Sequence, residues 1–343
     1  MTADLVVVGG GPVGLATAIA ARLAGLEPIV LEARSGLLDK ACGEGLMPGG
    51  LAVLARLGVD PPGAPLRGFR YADASRAVEH RFPGPEGRGV ERIALHRALA
   101  DRAAAIGVEV RRVRVGADEQ DADGVEVAGV RARYAIGADG LHSTVRRAAG
   151  LGRPTAGRHR FGLRRHFALA PWSDLVEVHW RAGFELYVTP VRHDLVSVAV
   201  LGERGLDLDA ALAAVPEVRD RIGAAPAADA VRGAGPLRQT TTRRVAGRIA
   251  LVGDAAGYVD ALTGEGLAIG LASAEQVVAA VATDDLAAYD RGWARTTRAH
   301  RLTTEGVLRL ATSPARGSVV PLARAVPALF GAVVGVLAKP VPR

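Results

Sequence analysis

The chain has 343 residues, a length that suggests about two domains. Its composition, 49% hydrophobic and 23% charged, excludes a disordered chain. The net charge of +7 would suit a nucleic-acid-binding protein, but the basic residues are dispersed and form no run interleaved with aromatic side chains, so no nucleic-acid partner is predicted. The single cysteine excludes an internal disulfide and favours a reducing, cytoplasmic location.

The chain begins with the pattern of a strand, a glycine turn, a helix and a second strand, running from Leu5 to Glu32. In this pattern Gly9 makes a tight turn, Gly11 lets the backbone approach a pyrophosphate, and Gly14 lets the helix pack on the strand. Glu32 ends the second strand, where an acid can accept hydrogen bonds from ribose hydroxyls. The pattern predicts dinucleotide binding but does not distinguish FAD from NAD.

A glycine-rich loop follows, in which Arg34 is expected to face the adenosine side of the cofactor. Lys40, one of only two lysines in a chain that otherwise uses arginine, lies two residues from Cys42, the only cysteine. A compact, titratable amine near a thiol suggests a functional loop. A surface lysine and a small buried thiol are the equally open alternative.

Hydrophobic and polar residues alternate loosely between positions 66 and 82, which predicts strands. The pattern of residues 92–106 predicts a helix. Arg92 at the start of this helix is a candidate for a cofactor phosphate, with a solvated arginine as the equal alternative. Residues 125–127 and 130–136 predict a hairpin around Ala128 and Gly129. The second strand of that hairpin leads into a glycine-flanked acid, Asp139, which can reach a ribose or ribityl hydroxyl, and Ser143 is placed to cap the next helix.

The pattern between residues 161 and 201 changes to alternating strands that carry many of the chain's few aromatic residues. These flat side chains predict the wall of an apolar pocket, or alternatively an ordinary sheet core. The aromatic residues are Phe161, Phe167, Trp172, Trp180, Phe184 and Tyr187.

Three histidines, His166, His179 and His193, lie in the same region, but their spacing matches no local metal-binding pattern, so no metal site is predicted. His166 follows two arginines, and His179 shares a strand face with Glu177. Both are candidates for proton transfer near neutral pH, and a structural role is the alternative.

The last nucleotide-like motif is a buried strand followed by Gly253, Asp254 and a second glycine turn at Gly264 and Gly266, from which a helix continues. Asp254 can bind a polyol hydroxyl, and the start of the helix offers backbone N–H groups to an electron-rich carbonyl. Near the C-terminus, residues 325–338 form an uncharged run of 14 residues, whereas a membrane span needs about 20.

Together these motifs resemble the FAD-dependent oxidoreductases of the p-hydroxybenzoate hydroxylase fold, which include aromatic hydroxylases, halogenases and geranylgeranyl reductases. The resemblance covers residues 1 to about 289. It implies tightly held FAD, with NAD(P)H as reductant. The implied FAD-binding residues are Gly9, Gly11, Gly14, Glu32, Arg34, Arg92, Asp139, Gly253, Asp254, Gly264 and Gly266.

The resemblance also implies an α/β fold in which a Rossmann-like FAD-binding domain carries an inserted β-sheet substrate domain and is followed by C-terminal helices. The FAD-binding domain is expected in residues 1–65, 90–155 and 245–285, and the substrate domain in residues 66–89 and 156–244. Residues 286–343 form the helical segment, where peripheral contact with a membrane surface is a further expectation. The oligomeric state is left open.

Within this family the motifs favour a monooxygenase acting on an apolar phenolic or polyketide-like molecule. The alternative is a reductase that saturates isoprenoid double bonds, because the loop around Cys42 resembles that of the geranylgeranyl reductases, where the cysteine lies near the flavin. The strand motif of those reductases, W-x-F-P, is replaced here by residues 187–190, and the lysine and the W-x-W-x-I-P strand of the halogenases are missing. The catalytic candidates are Cys42, His166, His179 and Tyr187.

Overall fold

The computed structural model describes residues 3–116, 119–120, 124–155 and 159–338 and confirms the α/β class. Its strands are β1 (Ala3–Val8), β2 (Pro28–Glu32), β3 (Gly45–Leu46), β4 (Ala64–Leu66), β5 (Gly68–Ala72), β6 (Ala77–Arg81), β7 (Gly87–Gly89), β8 (Glu109–Arg112), β9 (Glu119–Gln120), β10 (Val125–Val127), β11 (Val130–Gly137), β12 (Gly152–Arg153), β13 (Arg160–Phe167), β14 (Val176–Arg181), β15 (Phe184–Arg192), β16 (Leu195–Glu203), β17 (Arg232–Ala234), β18 (Thr240–Thr241), β19 (Val245–Ala246) and β20 (Ile249–Leu251). Its helices are α1 (Pro12–Leu23), α2 (Pro48–Arg56), α3 (Arg92–Ala105), α4 (Thr144–Ala148), α5 (Leu208–Ala213), α6 (Pro216–Ile222), α7 (Gly266–Ala282), α8 (Leu286–Thr296), α9 (Arg298–Ala311), α10 (Val319–Ala325) and α11 (Pro327–Ala338), with 3-10 turns at Gly253–Ala256 and Pro314–Ser318.

The first sheet has five parallel strands at its centre, in the order β20-β11-β1-β2-β8. Strand β19 pairs antiparallel with β20, and the β9–β10 pair joins β11. Helix α1 packs on β1 and β2 and against α3 and α7. Because helices cover a parallel sheet, strands such as β1 are hydrophobic along nearly their whole length. This is the Rossmann-like arrangement that the first motif predicts.

The carboxyl ends of these parallel strands meet at one edge of the sheet, where ligands of such folds bind. Gly9 follows β1, Glu32 ends β2, Asp139 lies two residues after β11, and Asp254 follows β20. Four motifs that are far apart in sequence are therefore neighbours in space.

The second sheet runs β17-β13-β16-β15-β14-β5-β6 and is antiparallel except between β14 and β5. One face is covered by α5 and α6, which pack on side chains such as Leu186 and Val198. The opposite face, here called the cavity face, carries Tyr187 and Ala199, which pair directly across β15 and β16. This face turns towards the ligand edge of the first sheet.

The C-terminal helices close part of the cavity face. Phe330 of α11 packs on Tyr71, with ring centroids 4.7 Å apart, and Tyr71 in turn contacts Trp180. Over the residues described, no single helix is both long and apolar enough to cross a membrane, although two segments bent by 96°, Pro314–Ala325 and Phe330–Val336, would satisfy the length and composition test as a pair.

Candidate active site

A cavity of about 850 Å³ connects the ligand edge of the first sheet with the cavity face of the second. One end is polar and glycine-rich, and the other is apolar. All but one of the sequence-predicted cofactor residues line its wall: Gly9, Gly11, Glu32, Arg34, Arg92, Asp139, Gly253, Asp254, Gly264 and Gly266. The remaining one, Gly14, supports the turn from behind.

The glycine turn after β1 is built on close backbone contacts. Gly9 has φ +106°, and a Cβ there would lie 2.7 Å from the carbonyl oxygen of Ala138. A Cβ on Gly14 would lie 1.8 Å from the carbonyl oxygen of Gly9. Around Gly11 there is no atom within 4 Å of such a Cβ, so open space remains beside the start of α1, where a diphosphate would meet the helix N-terminus.

Glu32 closes this end of the cavity. Its Oε2 accepts a hydrogen bond from the N–H of Gly10 at 2.8 Å, and its Oε1 accepts from the backbone and side chain of Arg34. Burial alone would raise the pKa of Glu32, but the hydrogen bonds from Arg34 and Gly10 outweigh it and hold the pKa below its ordinary value. Glu32 is therefore ionised and oriented at the position where an acid meets ribose hydroxyls.

Two polar atoms in this part of the wall are buried and have no partner. Asp139 uses Oδ2 to accept from Thr144 and Val145 at the start of α4, whereas its Oδ1 accepts nothing. The Nε of Arg92 is likewise unpaired. Since buried polar atoms are normally satisfied, an acceptor and a donor left open at the cavity indicate that a polar ligand completes them.

Asp254 and the turn before α7 form the opposite side of the polar end. Burial raises the pKa of Asp254, and the neighbouring charges of Arg92, Lys40 and Arg146 offset this only in part. Gly264 has φ +70°, and α7 begins two residues later with Gly266 and Leu267 in the cavity wall, so the unpaired N–H groups of its first turn lie at the cavity. These donors suit the developing negative charge of a reduced ring system.

The loop after β2 brings both Lys40 and Cys42 to the cavity. Burial lowers the pKa of Lys40, as do the charges of Arg34 and Arg92. Burial raises the pKa of Cys42, so its thiol is protonated at neutral pH. The sulfur accepts a hydrogen bond from the N–H of Glu44 at 3.4 Å.

The apolar end of the cavity lies against the second sheet. Tyr187 is buried there, and its hydroxyl donates to the carbonyl of Leu262 at 3.1 Å. Burial raises the pKa of Tyr187 well above 10, so the hydroxyl stays protonated. The surrounding apolar side chains include Met47, Phe69, Val176, Leu201 and Leu237.

Of the six aromatic residues that the sequence places on this sheet, two line the cavity and four do not. Phe161 and Tyr187 are in the wall. Trp180 packs beneath the C-terminal helices, and the others face α5 and α6. Those three residues are Phe167, Trp172 and Phe184.

The structure places neither candidate histidine at the cavity wall. His179 lies on the face of β14 that turns away from the cavity, where its ring bonds Glu177 at 3.2 Å and Glu217 at 3.1 Å. His166 shares the cavity face with Tyr187 but is covered by the loop after β2, and its Nε2 lies 2.7 Å from Glu44 Oε2. Their expected place among the catalytic residues is therefore corrected, because the pleat of β14 turns His179 away from the cavity and the loop after β2 covers His166.

Glu44 is a site residue that the sequence analysis did not single out. It lines the cavity, and its backbone has the left-handed φ of +59°. Its buried carboxylate also accepts a hydrogen bond from the N–H of Arg92 at 2.8 Å. The available signal was an acid directly between two glycines, similar to the glycine-flanked position that drew attention to Asp139. Within the described ranges no group of three or more His, Cys, Asp or Glu side chains could hold a metal ion.

Comparison with known families settles the class of ligand. A family model described as an FAD binding domain matches residues 2–309. The chain belongs to this family of flavoproteins. The residues present fit FAD. The glycine turn leaves room for a diphosphate beside α1, and the unpaired Oδ1 of Asp139 and Nε of Arg92 can accept from and donate to a polar ligand. The flavoprotein is an FAD-dependent oxidoreductase, as the resemblance implies.

The flavoprotein has relatives with different reactions. It is 30% identical to dialkyldecalin synthase of Streptomyces rugosporus over 86% of its length and 67% of that protein. It is also 30% identical to digeranylgeranylglycerophospholipid reductase 1 of Methanopyrus kandleri over 84% of both chains. Rifampicin monooxygenase of Streptomyces venezuelae is 35% identical, but over only 44% of this chain and 34% of that protein. The match thus spans about a third of the length of this monooxygenase.

Solved structures of the same fold cover the flavoprotein more evenly. A flavin-dependent brominase superposes with a TM-score of 0.82 over 98% of this chain and 94% of that chain, at 16% identity. A probable FAD-dependent monooxygenase from Pseudomonas aeruginosa gives 0.78 over 92% and 97%, at 20% identity. At these identities the likeness establishes the fold alone.

Proposed function

We propose that this flavoprotein is an NAD(P)H-dependent monooxygenase that hydroxylates an apolar phenolic or polyketide-like molecule. The observation that carries the proposal is the hydroxyl of Tyr187 at the apolar end of the cavity. It donates to the carbonyl of Leu262, so its oxygen can still accept a hydrogen bond from a substrate hydroxyl. A phenol would gain a polar anchor beside apolar walls, whereas an isoprenoid chain would gain nothing from it.

Bound FAD supplies the electrons, received from the nicotinamide, that activate oxygen. The protein contributes positioning and exclusion of water. The apolar side chains keep water from the reacting ring, Tyr187 orients the substrate hydroxyl, and the first N–H groups of α7 would stabilise negative charge on bound, reduced FAD.

The decisive experiment supplies the FAD-loaded protein with NADPH, NADH and a panel of phenols under labelled oxygen. Product that carries an oxygen atom from O2 is expected. Reduction of the flavin with no oxygenated product from any phenol would contradict the proposal. Protein that takes up no FAD would contradict the family assignment itself.

Replacing Tyr187 by Phe tests the anchor. We expect KM for a phenolic substrate to rise about tenfold, the effect of losing roughly one hydrogen bond, with little change in flavin reduction without substrate. Tyr289→Phe is the matched control, because it removes a buried hydroxyl that donates to the Leu251 carbonyl at 2.6 Å outside the cavity. An equal change in KM in both variants would show that Tyr187 acts through stability alone.

A second candidate, a reductase of isoprenoid double bonds, is favoured by Cys42. Its protonated thiol lines the cavity and could donate the proton that follows hydride transfer. The alignment with the digeranylgeranylglycerophospholipid reductase, which covers 84% of both chains, supports the same candidate. Anaerobic saturation of a prenyl substrate, lost in Cys42→Ala, would establish the reductase and overturn the monooxygenase. A monooxygenase should tolerate Cys42→Ala.

A further inference from the structure

The loop of residues 39–45, here called the flavin-side loop, forms part of the cavity wall from Lys40 to Gly45 with almost no secondary structure of its own. It must therefore be held by contacts with neighbouring elements. On β15, the hydroxyl of Thr189 donates to the carbonyl of Gly43 at 2.9 Å. The loop thus rests on the cavity face of the second sheet.

Glu44 is the centre of the loop's polar contacts. One carboxylate oxygen lies 2.7 Å from Nε2 of His166 on β13, and the other accepts from the N–H of Arg92 at the start of α3. Its own N–H donates to the sulfur of Cys42. With φ +59°, a backbone conformation that glutamate rarely adopts, Glu44 needs these contacts to hold it.

The ionic group around His166 has zero net charge only when the imidazole ring is protonated. Three carboxylates and two guanidiniums are linked to it by ion pairs, so a protonated ring makes the total neutral and a neutral ring leaves one excess negative charge. Burial lowers the pKa of His166, but its contact with Glu44 outweighs this and the pKa is raised. The groups facing the ring or linked to it are Arg164 on the same strand, Asp39 and Glu44 on the loop, Asp229 before β17 and Arg232 on β17.

We propose that His166 is a positioning residue: its imidazolium, paired with Glu44, holds the flavin-side loop on the second sheet and keeps Lys40 and Cys42 at the cavity wall. Loss of the proton removes the contact partner of one Glu44 oxygen and leaves one excess negative charge in this buried group, so the hold weakens as pH rises. The inference rests on the proposed function, in which FAD occupies this cavity. It adds that the second sheet and the flavin-side loop are joined by a proton-dependent contact.

The test compares FAD-loaded wild type with His166→Gln. The visible absorbance of bound FAD is recorded from about pH 6 to about pH 9, a range that brackets a raised histidine pKa. Wild type should show a transition and His166→Gln should not. At about pH 6 the variant should also show alkylation of Cys42, the only thiol, about tenfold faster than wild type, because the loop is released.

His179→Gln is the matched control. Like His166, this histidine is buried and contacts two carboxylates, here those of Glu177 and Glu217, but it lies on the opposite face of the sheet, so its variant should keep the wild-type transition. A His166→Gln spectrum that titrates like wild type, or a wild-type spectrum that does not change with pH, overturns the proposal.

If His166→Gln does not fold, two measurements replace it. Glu44→Gln should also abolish the transition, and the ring of His166, followed by NMR in the wild-type holoenzyme, should titrate with the same midpoint as the flavin absorbance. Different midpoints overturn the proposal. None of these readouts involves product, so a missing oxygenated product together with an intact titration would contradict the monooxygenase and leave the role of His166 standing.

Discussion

Gly9 and Gly14 lie where the turn after β1 comes so close to neighbouring backbone that a side chain fits at neither position. Gly11 differs, because a Cβ there would enter open space in the cavity wall. The same residue type thus serves two physical purposes. Two glycines let the protein pack on itself, and one leaves room for the cofactor.

Gly11→Ala and Gly14→Ala should therefore separate FAD binding from stability. We expect Gly11→Ala to unfold like wild type without cofactor and to bind FAD at least about tenfold more weakly, since the added methyl group obstructs the diphosphate. Gly14→Ala should lower the free energy of unfolding even without FAD, because its Cβ would overlap the Gly9 carbonyl. Thermal unfolding and FAD titration by fluorescence measure the two effects.

Gly84→Ala is the control, because Gly84 is exposed, lies outside the cavity and has no atom within 4 Å of its Cβ position. Equal FAD affinity in Gly84→Ala and Gly11→Ala would contradict the role given to Gly11.

At the scale of whole elements, α9 supports the turn that precedes α7. The carboxylate of Glu265 is buried and accepts a hydrogen bond from Nδ1 of His300 on α9. One turn later on that helix, Thr304 shares a hydrogen bond of 2.8 Å with Thr263. A helix outside the first sheet therefore holds the cavity-lining turn from behind.

His300→Ala should destabilise the protein by about 3 kcal/mol, because it leaves the buried carboxylate of Glu265 without its main partner. Urea unfolding measures the loss. The double variant with Glu265→Gln should recover part of it, since an uncharged side chain tolerates burial better. His193→Ala, at a side chain that is 89% exposed, should change stability little. Equal stability of His300→Ala and His193→Ala would show that the contact between His300 and Glu265 contributes nothing to the free energy of unfolding.

At the scale of the whole molecule, one buried ionic group joins three parts of the chain. Glu185 on β15 pairs with Arg160 on β13 and, at 2.6 Å, with Arg316 from the turn before α10. Asp260, in the segment between the 3-10 turn after β20 and α7, lies 3.6 Å from Arg160. The second sheet, the C-terminal helices and a segment that lines the cavity thus meet at a single group of charges.

This group predicts a pH dependence of stability. Burial is the main reason that the pKa of Asp260 rises from 3.8 to about 6, and the charge of Glu185 adds to it against the opposing effect of Arg160. Between about pH 4 and pH 6 the folded state therefore keeps a proton that the unfolded state has already released. This contribution to the free energy of unfolding is present at low pH and is lost as pH rises through about 6.

Asp260→Asn should remove that dependence. Relative to the variant, wild type should lose about 2 kcal/mol of unfolding free energy between about pH 4 and pH 8, followed by urea unfolding at several pH values. Comparing the two proteins at each pH cancels the titration of other carboxyl groups. A stability difference that stays constant with pH would contradict the raised pKa.

The sequence by itself determined the Rossmann-like half of the protein and picked out most of the residues that line the polar end of the cavity. These depend on short-range rules: Gly9 and Gly11 precede a helix, Asp139 follows a strand, and residues 125–127 and 130–136 are predicted to form a hairpin around Gly129, which the structure confirms. Parallel strands end at one edge, so these motifs could be brought together without coordinates. The prediction of FAD followed from three such motifs in order and is confirmed by the family match.

Only the tertiary structure decided which other polar residues reach the cavity. The sequence treated His166 and His179 alike, but strand pleat turned His179 away, and the flavin-side loop covered His166. Glu44 became the central contact of that loop through partners on β13 and α3. Such contacts join residues far apart along the chain, and no local pattern encodes them, because burial and pairing depend on how separately formed elements pack.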